Sequence, residues 1–201
     1  MKKVFLTMMT AFAVLSMTAA DGGPERLQVN TAKTSVNWVG KKVTGSHQGV
    51  LSLQSGVISL IDGKIDAATV VIDMTSIKCT DEGMDAETKG KLVGHLSSPD
   101  FFNVAEHNTA QFVMTSFKSQ KGENGANYLV SGKLTIKGIA QEISFPAKVT
   151  IKNGSVVAEA DFTIDRTKWD IRYGSGSFFD GLGDKVIYDD MNISFKLVAE
   201  A

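Results

Sequence analysis

Apolar and polar residues alternate with a period of two along most of this chain, most clearly from Val130 to Val149. Val130, Leu134 and Ile136 share one parity with Gly132, while Lys133, Thr135 and Lys137 take the other. Beyond Gly138 the alternation resumes, with Ile143, Phe145, Ala147 and Val149 on one side and Glu142, Ser144 and Lys148 on the other. Successive side chains of a strand point to opposite faces, so each run has a dry and a wet side. Gly138 admits the turn that makes the two runs a hairpin. A lone hairpin is marginal in water, so its dry face needs further strands to cover it.

The rest of the chain supplies them. Ser35 to Gly40 alternates, and Thr44 to Leu53 follows with Gly45, His47, Gly49, Leu51 and Leu53 on one parity. Two glycines on one face predict a bend or a tightly curved sheet. Gly56 to Ile61 reads as a short strand, Asp62-Gly63 as a hairpin turn and Ile65 to Asp73 as the returning strand. Thr109 to Phe117, Val156 to Ile164 and Asn192 to Ala199 complete the set, with turns at residues 122–125 and at Asn153-Gly154. Between the last two strands, Arg172 to Asp190 reads as a long glycine-rich loop containing Phe178-Phe179.

One stretch breaks the period. Leu92, Val93 and Leu96 have helical spacing within Asp81 to Leu96, with Glu87, Lys89 and Lys91 on the opposite face. Ser98-Pro99 reads as a second helix start, with Ser98 as cap and Pro99 in the first turn. Short strands joined by tight turns, with a single helical excursion around residues 84–104, predict an all-β barrel or sandwich in one domain.

Composition adds an address and removes several functions. Lys2 and Lys3 precede an almost wholly apolar run to Met17, and Thr18-Ala19-Ala20 offers a cleavage site, so residues 1–20 read as an export signal. The run is shorter than the roughly 20 residues of a spanning helix. Cleavage near Ala20 leaves residues 21–201 as the mature domain, exported to a periplasm or beyond, without stable membrane insertion. Formal net charge is -1 and no basic run occurs, which argues against a nucleic-acid partner. Cys79 is the only cysteine, so no internal disulfide forms. His47, His95 and His107 lack metal-ligand spacing, and the acidic stretch from Asp180 to Asp190 lacks a calcium-loop pattern. No nucleophile elbow or phosphate-binding loop is present, so no metal, no cofactor and no enzymatic nucleophile is expected.

Five segments together resemble the YceI-like family of exported, lipocalin-like proteins. They are Gly45 to Gly56; Val71-Ile72-Asp73-Met74-Thr75-Ser76-Ile77; Leu92 to Val104, with His95-Leu96 and Pro99-Asp100-Phe101-Phe102; Gly132 to Gly138; and Asp165-Arg166 followed by Trp169. The resemblance implies an extended antiparallel β-barrel whose interior holds a long apolar ligand: a polyisoprenoid, an isoprenoid quinone or a fatty-acid-like chain. The chain departs from the family where His107-Asn108 replace an aromatic-proline pair, and in the length of the loop from Arg172 to Asp190.

The expected ligand-binding residues are Trp38, Leu51, Phe101, Phe102, Phe112, Met114, Leu134, Ile136, Phe145 and Phe162, with Arg166, Trp169 and Phe178 beside them. Large inward residues would line a channel, and small ones (Gly49, Ala110, Ala147, Ala158, Ala160) would leave it hollow or merely accommodate curvature. Arg166 suits a polar headgroup or an ion pair with Asp165. Three readings follow: a carrier of a hydrophobic small molecule; an enzyme on such a lipid using His95, Asp100 or Asp165; or an interaction module with a filled barrel. The residues leave homodimerisation open.

Overall fold

A computed structural model describes residues 23–201. The proposed export signal and its cleavage site lie outside the described residues. Nine strands form in order: β1 (Glu25–Val29), β2 (Ser35–Lys42), β3 (Gly45–Ile61), β4 (Lys64–Cys79), β5 (Thr109–Ser119), β6 (Tyr128–Ile136), β7 (Ile139–Lys152), β8 (Ser155–Asp165) and β9 (Ile187–Glu200). One helix, α1 (Ala86–Ser97), sits between β4 and β5. Strands β2 to β9 pair antiparallel in sequence order, and β9 pairs back onto β2, which closes an eight-stranded barrel. This is one of the two all-β architectures the alternation predicts, and the lipocalin-like barrel that the family resemblance implies.

The short β1 was missed by the pattern reading. It pairs with both β3 and β9, so β1 and β2 occupy the same slot in the wall. The kink between them is pinned where Asn30 N–H donates to the Val198 carbonyl at 2.8 Å and the Thr34 hydroxyl donates to the Asn30 carbonyl at 2.8 Å. Asp62-Gly63, Lys137-Gly138 and Asn153-Gly154 all have positive φ at both residues, the geometry whose twist matches a two-residue hairpin.

Several expected boundaries move for one reason. The β3–β4 pair carries three register shifts, and each reverses which parity faces inward. In β3 the pairing with β4 slips between Leu53 and Ser55, so Leu53 is buried, and so are Gly56, Ile58 and Leu60. The two strands expected at 44–53 and 56–61 are one continuous strand. Strand β4 runs six residues beyond the expected Asp73, and β9 begins at Ile187, inside the expected loop.

The helix also differs from expectation at its ends. Asp85 caps its start, accepting from the Thr88 amide at 2.8 Å. Ser98 closes the helix rather than opening a second one: its hydroxyl donates to the His95 carbonyl at 2.8 Å. Pro99 to Phe102 is then turn, not helix.

The interior divides into two packed zones. One gathers Leu27, Ile58, Leu60, Val156, Leu197 and Ala199 around β1. The other gathers Trp38, Met74, Leu96, Phe101, Trp169 and Ile171 beneath α1. Ile72, Phe112, Ile143 and Phe162 pack against both.

Candidate ligand-binding site

The inward faces of all eight barrel strands, together with Leu92 and Leu96 of α1, line one cavity of about 270 Å³. Its lining draws on both packed zones, from Ile58 and Val156 near β1 to Leu96 and Ile171 beneath α1, so this small volume is drawn out along the barrel, a shape suited to a chain. Trp38, Leu51, Phe101, Phe102, Phe112, Met114, Leu134, Ile136, Phe145, Phe162 and Arg166 all face it. At its waist the Phe145 and Phe162 rings stack with centroids 4.3 Å apart, and Phe112 tilts onto Phe145 at 5.7 Å.

Two expected residues lie elsewhere. Trp169 is buried outside the lining, and its indole N–H donates to the Leu134 carbonyl at 3.0 Å. It therefore fastens the turn after β8 to β6. Phe178 is 45% exposed on the following loop, with the Arg172 guanidinium 4.6 Å from its ring centre.

The small inward residues divide in the same way. Ala110, Ala147 and Ala158 line the cavity. Gly49 does not, because the Trp38 ring lies across it; a Cβ there would collide with that ring and with the Lys78 carbonyl. Gly132 is covered by Phe112 in the same manner. These glycines let aromatic rings lie flat on the neighbouring strand, so they shape the lining without hollowing it.

Pattern reading overlooked Ile72, Met74 and Ile77 of β4 and Ile193, Phe195 and Leu197 of β9 as lining residues. The β9 trio was legible as one dry face. The β4 residues were not, because two even positions are followed by an odd one after a register shift.

Polar groups near the cavity are largely committed. Arg166 is 4% exposed and donates to the carbonyls of Ile171 (2.8 Å), Ile187 (3.1 Å) and Tyr188 (3.2 Å), and to the Asp189 carboxylate (3.3 Å). Strand β8 ends at Asp165, paired with Asp190, so the guanidinium takes over as partner for the β9 backbone beyond that pair. Burial pulls its pKa down, with Asp189 and Asp165 opposing. That leaves the expected headgroup contact with little donor capacity. Asp165 accepts from the Thr167 amide at 2.9 Å and hydroxyl at 2.6 Å, so it caps a turn. Trp38 Nε1 is the one buried side-chain donor without a protein acceptor among the described residues.

His47 lies 2.7 Å from Asp81 across the β3–β4 end. Burial pushes the Asp81 carboxyl up, but hydrogen bonds from His47, the Gln48 amide and the Cys79 thiol outweigh it and hold the carboxyl below its ordinary value. His95 is 3.8 Å from Asp100 and packs edge-on against Phe101 and Tyr173. Among the described residues no helix is long and apolar enough to cross a membrane.

Comparison with known proteins agrees with this architecture. A protein described as UPF0312 from Ectopseudomonas mendocina (strain ymp) is 34% identical over 105 residues, which span 51% of this chain and 52% of that relative. The chain thus matches about half the length of that curated relative. The crystal structure of BcnA from Burkholderia cenocepacia aligns with a TM-score of 0.63 at 25% identity, covering 85% of this chain and 98% of the other. A polyisoprenoid binding domain from Saccharophagus degradans, implicated in plant cell wall breakdown, shares the fold with a TM-score of 0.60 at 16% identity, covering 87% and 98%. Residues 27–199 match the family described as YceI-like domain, and the chain belongs to that family.

Proposed function

We propose that this protein is an exported carrier that encloses one long apolar chain inside its barrel and carries out no chemistry on it. The observation that carries this reading is the narrow apolar cavity bounded by every strand of the wall. Membership of the YceI-like family and the fold shared with a polyisoprenoid binding domain point the same way. A ligand that loses roughly 300 Å² of apolar surface gains about 7 kcal/mol before ordering costs. An isoprenoid or fatty-acid-like chain has that surface in a slender form. Burial of apolar area supplies the affinity, and a headgroup oxygen accepting from Trp38 Nε1 would set orientation. The proposed binding residues are those expected from the pattern that face the cavity, joined by the lining residues of β4 and β9.

Organic extraction of the purified protein, analysed by mass spectrometry, is expected to release a stoichiometric long-chain lipid. The extracted protein is expected to bind an isoprenoid quinone or a long-chain fatty acid saturably. Absence of saturable binding for quinones, polyprenyl phosphates and fatty acids alike would exclude the carrier reading.

A further inference from the structure

Seven large apolar side chains are more than one third exposed among the described residues, and five of them gather at one place. Those five are Val43, Tyr173, Phe178, Phe179 and Tyr188. Backbone hydrogen bonds stitch their segments together: Val43 N–H donates to the Val186 carbonyl at 3.1 Å, Ile187 N–H to Gly174 at 2.8 Å, and Phe179 N–H to Ser175 at 3.1 Å. Scattered exposed apolar residues need no explanation, whereas a gathered set does.

The same place is where the cavity reaches the surface. Gly40 of β2 pairs with Met191 of β9, and Lys42 pairs with Ile187, so three residues of β9 stand opposite Lys41 alone. Lys41, Tyr188 and Asp190 in this irregular seam are exposed and also line the cavity. A second apolar path leads outward from the lining residue Phe101, whose ring centre is 5.5 Å from that of exposed Tyr173.

We infer that this rim docks on the surface of a lipid bilayer, so that the carried chain passes between leaflet and cavity without crossing water. The inference rests on the carrier reading above. Phenylalanine buries fully in the outer acyl region, and tyrosine keeps its hydroxyl among the headgroups. The charges on the rim segments balance: Lys41, Lys42 and Lys185 are matched in number by Asp180, Asp184 and Asp190, and none of the six is in an ion pair among the described residues. Apolar insertion therefore drives docking, and anionic lipid is not required.

The test uses phosphatidylcholine vesicles carrying a quinone with a short isoprenoid tail, whose entry quenches the fluorescence of cavity-facing Trp38. The transfer rate is expected to rise in proportion to vesicle concentration. In the double variant Phe178→Ser, Phe179→Ser, at two exposed positions outside the cavity lining, it is expected to fall about tenfold or more, from lost apolar insertion. Equilibrium affinity for the quinone stays unchanged in the variant. Replacing roughly one fifth of the lipid with an anionic one is expected to leave the rate unchanged within experimental scatter.

A rate independent of vesicle concentration, or an unaltered rate in the variant, would overturn the inference while leaving the carrier standing. Docking that demands anionic lipid would also overturn it, and so would a co-purifying protein that the variant loses while its vesicle transfer is intact. Flotation with ligand-free vesicles decides the matter even if the quinone fails to bind: the natural protein is expected to float and the variant to sediment, and sedimentation of both refutes docking.

Discussion

At one end of the barrel Leu27, Val156 and Ala199 have no exposed surface, while at the other Tyr173, Phe178, Phe179 and Tyr188 keep 45–50% of theirs. The first end is closed by β1, which lies across the seam between β3 and β9 and buries its apolar residues against Ile58, Leu60 and Ala199. The second is covered by α1, a helix with two glycines and one buried side chain, and by the segment after β8, which Arg166 ties at the Ile171 carbonyl while also holding the Ile187 and Tyr188 carbonyls of β9. Burial of apolar area dominates stability, so the closed end holds the fold together. The helix end buries Trp169 and Ile171 just as completely inside, but it also leaves four aromatic rings on its outer surface. The carrier proposed above needs one end that stays shut and one that a ligand can pass.

The sharpest way to break this contrast is to cut the closed end. Leu27→Ala is expected to destabilise the protein by about 3 kcal/mol through lost transfer energy and a residual cavity, read as a lower urea midpoint. Quinone affinity at temperatures where the variant remains folded should be unaltered, because Leu27 is not among the lining residues. If the substitution cost no more than a surface change, β1 would not be the keystone of that end.

Arg166→Met probes the other end. It retains the apolar stem but strips the carbonyls of Ile171, Ile187 and Tyr188 of their donor, at a cost of about 2 kcal/mol. Hydrogen exchange is expected to quicken over residues 186–190 and to stay slow in β1 and β8. Uniform quickening across the barrel would show that the two ends are not separable.

The smallest expected effect has the opposite sign. Gly90 and Gly94 in α1 would each meet open space on gaining a Cβ. Gly94→Ala is expected to raise stability by about 1 kcal/mol through helix propensity alone. By stiffening the cover it should also slow release of bound quinone in a stopped-flow displacement experiment. Faster release would mean that α1 is not part of the cover.

Much of the candidate site is legible in the sequence. The dry faces of β6, β7 and β8 follow strict alternation, and Leu134, Ile136, Phe145 and Phe162 face the cavity as that alternation requires. Reading failed where strands slip. Met74 and Ile77 both line the cavity although they stand three positions apart, and no period of two accommodates that spacing. It failed again where a residue's role depends on what a distant segment leaves unpaired. Arg166 suits a polar headgroup or an ion pair with Asp165 on sequence grounds, yet it serves the backbone of β9 and pairs with Asp189 because β8 stops one residue earlier.

By itself, the chain's alternation of apolar and polar residues determined that it is built of antiparallel strands with one dry side, joined at Asp62-Gly63, Gly138 and Asn153-Gly154 and interrupted once by a helix. These are local properties, set by side-chain direction and by the few residues that accept positive φ. Only the tertiary structure decided that the wall closes, that β1 and β2 share one slot, that Gly49 is filled by Trp38 while Ala147 is not filled, and that the cavity reaches the surface at the seam between β2 and β9. Each of those depends on register between strands, some as far apart in the chain as Gln28 and Glu200. Register is chosen by the summed packing of the whole interior and not by any one stretch.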